Sequence, residues 1–157
     1  LADMRFDHHE EPVRVQARGI LYAASLGPIC VAEFFQADRT IDRFDGEPWL
    51  VGFSVRRDVT LLDLTGTWPT QAGASMALSS GVRARARRWS RAIYEAYPRI
   101  DGLWYPSSMY GSFAAVALYE RAEDAPGPAP FFHMPLSAPA LYVPLSHIAR
   151  QIGYRLV

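Results

Sequence analysis

The chain has no lysine: all 16 of its basic residues are arginine. A Schiff-base mechanism through a lysine amine is thereby excluded. It has one cysteine, Cys30, which excludes an internal disulfide and a multi-cysteine zinc site and fits a reducing cytosol. It has no apolar run approaching the roughly 20 residues that cross a bilayer and no signal-peptide pattern at its start, so the expectation is a cytoplasmic protein with no membrane contact. It starts at Leu1 rather than methionine, and further residues upstream are expected. The 16 basic and 16 acidic residues cancel, which argues against a bulk electrostatic grip on nucleic acid or membrane. Neither GxGxxG nor a P-loop pattern occurs, so any nucleotide must be held by other means.

Half of the 157 residues are hydrophobic, enough for one core that buries roughly 70% of the unfolded chain's surface. A single domain over 1–157 is expected. Residues 19–24 read as a strand and 26–37 as a helix with Pro28 in its first turn, where a missing N–H does no harm. Residues 49–55 and 59–64 read as strands joined by Arg56, Arg57 and Asp58. A Gly/Ser/Thr-rich loop follows at 65–80, with room for one helical turn near 74–78. The clearest helix is 82–97, with Val82, Ala86, Trp89, Ile93 and Ala96 on one stripe before Pro98. Strands at 103–105 and 113–119 flank the turn 106–111; 124–130 is a proline-rich loop, 147–152 a short helix and 154–157 a last strand. The order predicts an α+β fold with a mixed or antiparallel sheet and a few helices.

Four residues carry candidate chemistry. Glu33 lies in PICVAEFFQ, and on a helix it shares a face with Ile29, Cys30 and Ala37. Either the helix turns it to solvent, or it points into a cleft and needs a cation, for which Arg5, Arg14, Arg18 and Arg39 are candidates. Tyr22, in GILYAAS, is either a core tyrosine with a satisfied hydroxyl or a flat surface on which a base stacks. Arg5, in RFDHH, is a solvent arginine or a fork for phosphate oxygens. Ser107, in DGLWYPSSM, is a turn serine or a binding group, with Ser108 as a rival; neither His133 nor His147 is marked as a base for it.

Two other clusters weigh less. Asp7, His8, His9, Glu10 and Glu11 resemble metal ligands in type, but adjacent histidines do not readily turn to one ion and HExxH is missing. No metal is expected. Arg83, Arg87 and Arg91 share a face of the 82–97 helix, read as solvated, with an acidic protein partner as the alternative.

RFDHH, GILYAAS, PICVAEFFQ and DGLWYPSSM, in this order from Arg5 to Ser107, resemble the motifs of the RES-domain family, named for Arg, Glu and Ser. The resemblance reaches to about Leu118, and Tyr22 precedes Glu33 at a spacing similar to the family's. The stretch from Arg5 to Tyr22 is longer than in compact members, by an insertion through residues 11–16, which brings Arg14 and Arg18 into play as the family arginine.

The resemblance implies a fold like the catalytic core of ADP-ribosyltransferase toxins. It implies a toxin that cleaves the nicotinamide–ribose bond of NAD, with water or inorganic phosphate as acceptor, and is neutralised by a cognate antitoxin of Xre-like, helix-turn-helix type. NAD would be a substrate and no cofactor is implied. Glu33 would be the principal catalytic residue, Arg5 would bind the diphosphate, Tyr22 would stack near the nicotinamide, and Ser107 would hold the amide or ribose. The alternatives are ADP-ribosylation of a protein and a non-catalytic nucleotide- or partner-binding protein.

Overall fold

The computed structural model describes residues 4–12, 14–75, 77–111 and 113–157. They form an α+β domain built on two main hydrophobic cores, to both of which one helix contributes, and a smaller cluster of Leu118, Ala122 and Ala125. Among them no helix is long and apolar enough to cross a membrane.

The first core lies on a four-stranded sheet in which β1 (Ile20–Ala24), β6 (Ala114–Tyr119), β5 (Gly102–Pro106) and β4 (Leu61–Asp63) are neighbours in that order. β1 and β5 flank β6 antiparallel, and β4 runs parallel to β5, so the sheet is mixed. Tyr22 is opposite Ala117, and Ala117 is opposite Leu103. With a side-chain period of two, Tyr22, Leu103, Tyr105, Ala115, Ala117 and Tyr119 therefore share one face. Ser107, just past the strand, continues the parity of Leu103 and Tyr105. Gly102 is required where β5 crosses β6, because a Cβ there would stand 2.2 Å from the Ala117 carbonyl oxygen.

The helix α4 (Arg83–Ala96) covers this face with Ala86, Ser90 and Ile93. Burial of an Ile93-sized side chain contributes about 1.5–3 kcal/mol. The buried row differs from the expected stripe: Val82 is 73% exposed, Ala96 is exposed, and the polar Ser90 is inside. The reason is a hydrogen bond, since Ser90 Oγ donates to the Phe6 carbonyl at 2.6 Å and is thereby satisfied in the core. The arginine row is corrected as well. Arg83, Arg87 and Arg91 are half-buried on the flank facing the N-terminal segment, and Arg85 and Arg88 are the exposed ones. Arg91 pairs with Glu11 at 3.1 Å.

α1 (Gly27–Phe34) begins with Pro28 in its first turn, as expected, and stops short of residue 37. Ile29 enters the first core and Val31 the second. In the second core Val31 meets Ile41, Leu136, Leu141, Leu145 and Ala149. It is framed by the parallel pair of β2 (Thr40–Ile41) and β8 (Arg155–Leu156), the antiparallel pair of β3 (Trp49–Gly52) and β7 (Phe132–Pro135), and α5 (Tyr142–Ile152).

Three further expectations change. The strands at 49–55 and 59–64 are not partners: β3 pairs with β7, and β4 pairs with β5. Arg57 between them is drawn instead to Asp101 at 2.9 Å and Asp124 at 2.7 Å, which ties the start of β4 to the start of β5. The 65–80 loop holds two helical turns, α2 (Trp68–Gln71) and α3 (Ala77–Ser80), the first with a proline at its start. α5 begins five residues before the expected His147, at Tyr142, because Pro144 falls in its first turn, where the N–H has no helical partner. It ends on Gly153 at φ 72°, a left-handed cap that glycine adopts freely.

Candidate functional site

Glu33 sits near the C-terminal end of α1, half-buried, where the helix meets the end of β5. Its Oε1 accepts the Ser107 hydroxyl at 2.5 Å and the Ser108 backbone N–H at 3.0 Å. The Ser107 oxygen in turn accepts N–H groups from Met109 at 3.1 Å and Tyr110 at 3.0 Å. The chain turns sharply after Pro106 so that two backbone dipoles converge on one hydroxyl, which donates its hydrogen bond to the carboxylate. Ser107 is buried, and its one proton and two acceptor positions are all engaged. Ser108 serves through its main chain, which separates the two rival serines.

The second oxygen of Glu33 is less occupied. Gln36 Nε2 is 3.5 Å from Oε2, at the limit of a hydrogen bond, and makes its main bond to the Glu33 carbonyl at 2.7 Å. Gln36 did not emerge from the sequence reading, although its place three residues after a helical glutamate is a usable signal.

Arg5 is near enough to this carboxylate for the two charges to interact. Burial lowers its pKa, the nearby Arg83 lowers it further, and Glu33, Tyr105 and Tyr22 act in the opposite direction. The guanidinium donates through Nη1 to the Gly81 carbonyl at 2.6 Å. Two of the other candidate arginines are bonded elsewhere, and the third, Arg39, acts with Glu33 on Tyr154. Arg14 bonds Glu10 at 3.1 Å. Arg18 reaches the His8 carbonyl at 3.0 Å, Glu10 at 3.2 Å and Glu95 at 3.4 Å. Arg39 lies beside β2, where its carbonyl accepts the Arg155 N–H at 3.0 Å.

Tyr22 and Tyr105 line the same inward face as Arg5's neighbour Phe6. The Tyr22 hydroxyl donates to Asp7 Oδ1 at 2.9 Å and accepts the Phe6 N–H at 3.0 Å. Burial, with Asp7 adjoining, pushes this phenol well above its ordinary value. Burial raises Tyr105 too, aided by the charge of Glu33, and Arg5 opposes it. Tyr105 was missed as a site residue; the strand parity that links it to Ser107 is the signal that carries it.

The acidic and histidine run at 7–11 is dispersed among separate partners. Asp7 goes to Tyr22, Glu10 to Arg14 and Arg18, and Glu11 to Arg91. His8, fully buried, contacts Glu120 Oε2 at 3.0 Å through Nε2. Its Nδ1 has no hydrogen-bond partner among the described residues, and desolvation lowers its pKa to about 4, against the opposing pull of Glu120. His8 is therefore neutral at pH 7, and Nε2–H is a donor to the carboxylate. His133 stacks on Trp49 at 4.3 Å in the β3–β7 ribbon, so it is no base for Ser107.

Two cavities lie away from these residues. One, of about 310 Å³, is lined by Gly73, Leu78, Arg85 and Trp89 among others; the second, of about 460 Å³, is lined by residues from Thr60 and 96–100. Neither touches Glu33.

What the site offers is a carboxylate held from one side, an arginine fork beside it, and two buried phenols behind. The family model that matches this chain is that of the RES domain, over residues 1–137. No curated protein and no solved structure matches it. RES domains are associated with enzymes acting on NAD and are typically paired with antitoxins in toxin–antitoxin systems. The match spans all four motifs, and Arg5, Glu33 and Ser107, drawn from three of them, come together at the junction of α1 and β5. The chain belongs to the RES-domain family.

Proposed function

We propose that this protein is a toxin that consumes NAD by breaking the bond between nicotinamide and ribose, and that a cognate antitoxin holds it in check. The observation that carries the reading is the meeting of Glu33 Oε1 with Ser107 Oγ at 2.5 Å, beside Arg5. As the bond to nicotinamide lengthens, positive charge develops on the ribose in an oxocarbenium-like state. A fixed carboxylate lowers the energy of that state most when it is oriented beforehand. Ser107 and the Ser108 N–H orient Glu33 through Oε1, and Oε2 faces the sugar, where it accepts a ribose hydroxyl and stabilises the charge.

In this reading Arg5 holds the diphosphate, for which its planar fork is suited, and Gly81 anchors one of its N–H groups. The Tyr22 ring offers a surface for the nicotinamide side. Ser107 acts on Glu33 rather than on the ligand, because its proton and lone pairs are already engaged. The acceptor of the ADP-ribosyl group is water or inorganic phosphate. Incubating the purified protein with NAD, with and without phosphate, and separating the products tests the reading and identifies the acceptor. Free nicotinamide with ADP-ribose points to water, and ADP-ribose 1-phosphate to phosphate. Intact NAD under both conditions would sink it.

A further inference from the structure

We propose that Asp7 and the hydroxyl of Tyr22 form a latch that positions Arg5, a role that rests on the diphosphate grip assigned to Arg5 above and that neither a metal cluster nor a stacking tyrosine would supply. Arg5 lies in an irregular turn near the N-terminal end of the described chain. Holding each such residue in one conformation costs about 1–2 kcal/mol of backbone entropy. No helix or sheet ladder offsets that cost, so side chains must.

They do so on both flanks of Arg5. Asp7 Oδ2 accepts the Met4 N–H at 2.8 Å. The Tyr22 hydroxyl accepts the Phe6 N–H at 3.0 Å and donates to Asp7 Oδ1 at 2.9 Å, closing the ring of bonds. Phe6 is fully buried, and its ring packs on Tyr105 at 4.6 Å. The latch is thus rooted in β1 through Tyr22 and in the first core through Phe6.

The partners of Asp7 are the informative part. It is 3% exposed, and a buried carboxylate normally demands a cation. Arg5 is two residues away, yet both Asp7 oxygens are taken by a main-chain N–H and a phenol, while the Arg5 guanidinium donates to Gly81 and lies within the influence of the Glu33 charge. The acid fixes the backbone without neutralising the arginine. A phosphate therefore meets a guanidinium that is already placed and, among the described residues, donates only to Gly81. The ring and the hydroxyl of Tyr22 have separable tasks, one toward the ligand and one toward Arg5.

The test is Tyr22→Phe, which keeps the ring and removes only the hydroxyl, measured by NAD calorimetry in a Glu33→Gln background so that the ligand is not consumed. The expected result is binding about tenfold weaker, on the scale of a lost hydrogen bond acting on a charged group. In an Arg5→Ala background the same change should alter binding less than about twofold, because the hydroxyl acts through Arg5. Equal weakening with and without Arg5 would overturn the latch. Amide exchange at Phe6 and the Arg5 Nε–H resonance read the latch independently of ligand. Both should change in Tyr22→Phe, and two unchanged signals would also overturn it. If the parent protein fails to bind NAD while those signals change, the functional reading fails and the latch stands. Asp7→Asn, which puts an amide donor against another donor, should reproduce the loss, and Asp7→Glu should not rescue it.

Discussion

Two glutamates in this molecule are alike in burial and in accepting a hydroxyl, and differ in what else surrounds them. Glu33 and Glu120 are both half-buried, and each accepts a hydroxyl at 2.5 Å, from Ser107 and Tyr94 respectively. Around Glu120 both oxygens are occupied: Tyr94 on Oε1, and His8 at 3.0 Å with the Gly19 N–H at 3.2 Å on Oε2. Burial opposes its ionisation, but the bonds from Tyr94, its own backbone and His8 prevail and hold it below the usual glutamate range. Arg18 and Arg121 stack on the Tyr94 ring at 4.7 and 3.6 Å, which completes a closed polar cluster. Glu33 is supported on one oxygen and nearly bare on the other. A carboxylate with both oxygens engaged holds a fold together; one with an oxygen left over can receive a ligand.

The sharpest way to break this contrast is Glu33→Gln. It keeps the shape and removes the charge, and nicotinamide release should fall by about 10² to 10³, the loss typical of one preorganised electrostatic group. The melting curve should be near that of the parent. Near-normal release would remove Glu33 from the chemistry and put the two glutamates on the same footing.

Next in size is Arg5→Ala, expected to weaken NAD binding by roughly 1.5–3 kcal/mol, as for hydrogen bonds to a charged group. Arg14→Ala and Arg18→Ala should do much less, since those arginines bond to Glu10, Glu95 and the His8 carbonyl. Calorimetry that ranks Arg18 first would overturn the assignment of the binding arginine.

Glu120→Gln should show the reverse pattern to Glu33→Gln. Replacing an acceptor by an amide leaves Tyr94 or His8 without a partner and should cost about 1–3 kcal/mol of stability, read by urea denaturation. Release of nicotinamide per folded molecule should be unchanged, and a selective loss of turnover would dissolve the distinction.

The smallest effect is a pH slope. His8 in the folded protein has its pKa lowered from 6.5 to about 4. The unfolded chain therefore binds the extra proton first as pH falls. Its contribution to stability is complete above about pH 6.5 and is lost between there and about pH 4, with a slope no steeper than about 1.4 kcal/mol per pH unit. His8→Gln should flatten the stability profile in that window while the profile of Glu120→Gln retains a slope. A wild-type profile flat from pH 7 to 4 would show that His8 is not held neutral.

Much of the first core was legible because its elements have clear periods. β1, β5, β6 and α4 were recognisable from alternating or helical apolar spacing, and α1 from an apolar run opened by Pro28. β7 was not read because Phe132–Pro135 is short and follows directly on the proline-rich loop at 124–130. The pairing of β3 with β7 across some eighty residues left no local trace, and the nearer alternative, β4, was the natural guess. In the site, residue types and order marked Arg5, Tyr22, Glu33 and Ser107. Spacing alone could not decide among Arg5, Arg14 and Arg18, because that choice depends on a turn held by Asp7 and Tyr22. Tyr105 and Gln36 lie within two of the motifs but were not singled out, and their roles became visible only through the sheet face and the helix end they share with Ser107 and Glu33.

The position of α1 between the cores has a consequence for how the protein can be trimmed or worn down. Ile29 is locked into one core and Val31 into the other, and the Tyr154 hydroxyl donates to the Ala32 carbonyl at 3.1 Å, one residue before Glu33. Leu141, Leu145, Ala149 and Tyr154 all lie beyond residue 137, where the family match ends. A protease that removed this tail would strip α1 of its packing on one side and release Glu33 along with it. The unit that holds Glu33 in place is therefore longer than the family's outline.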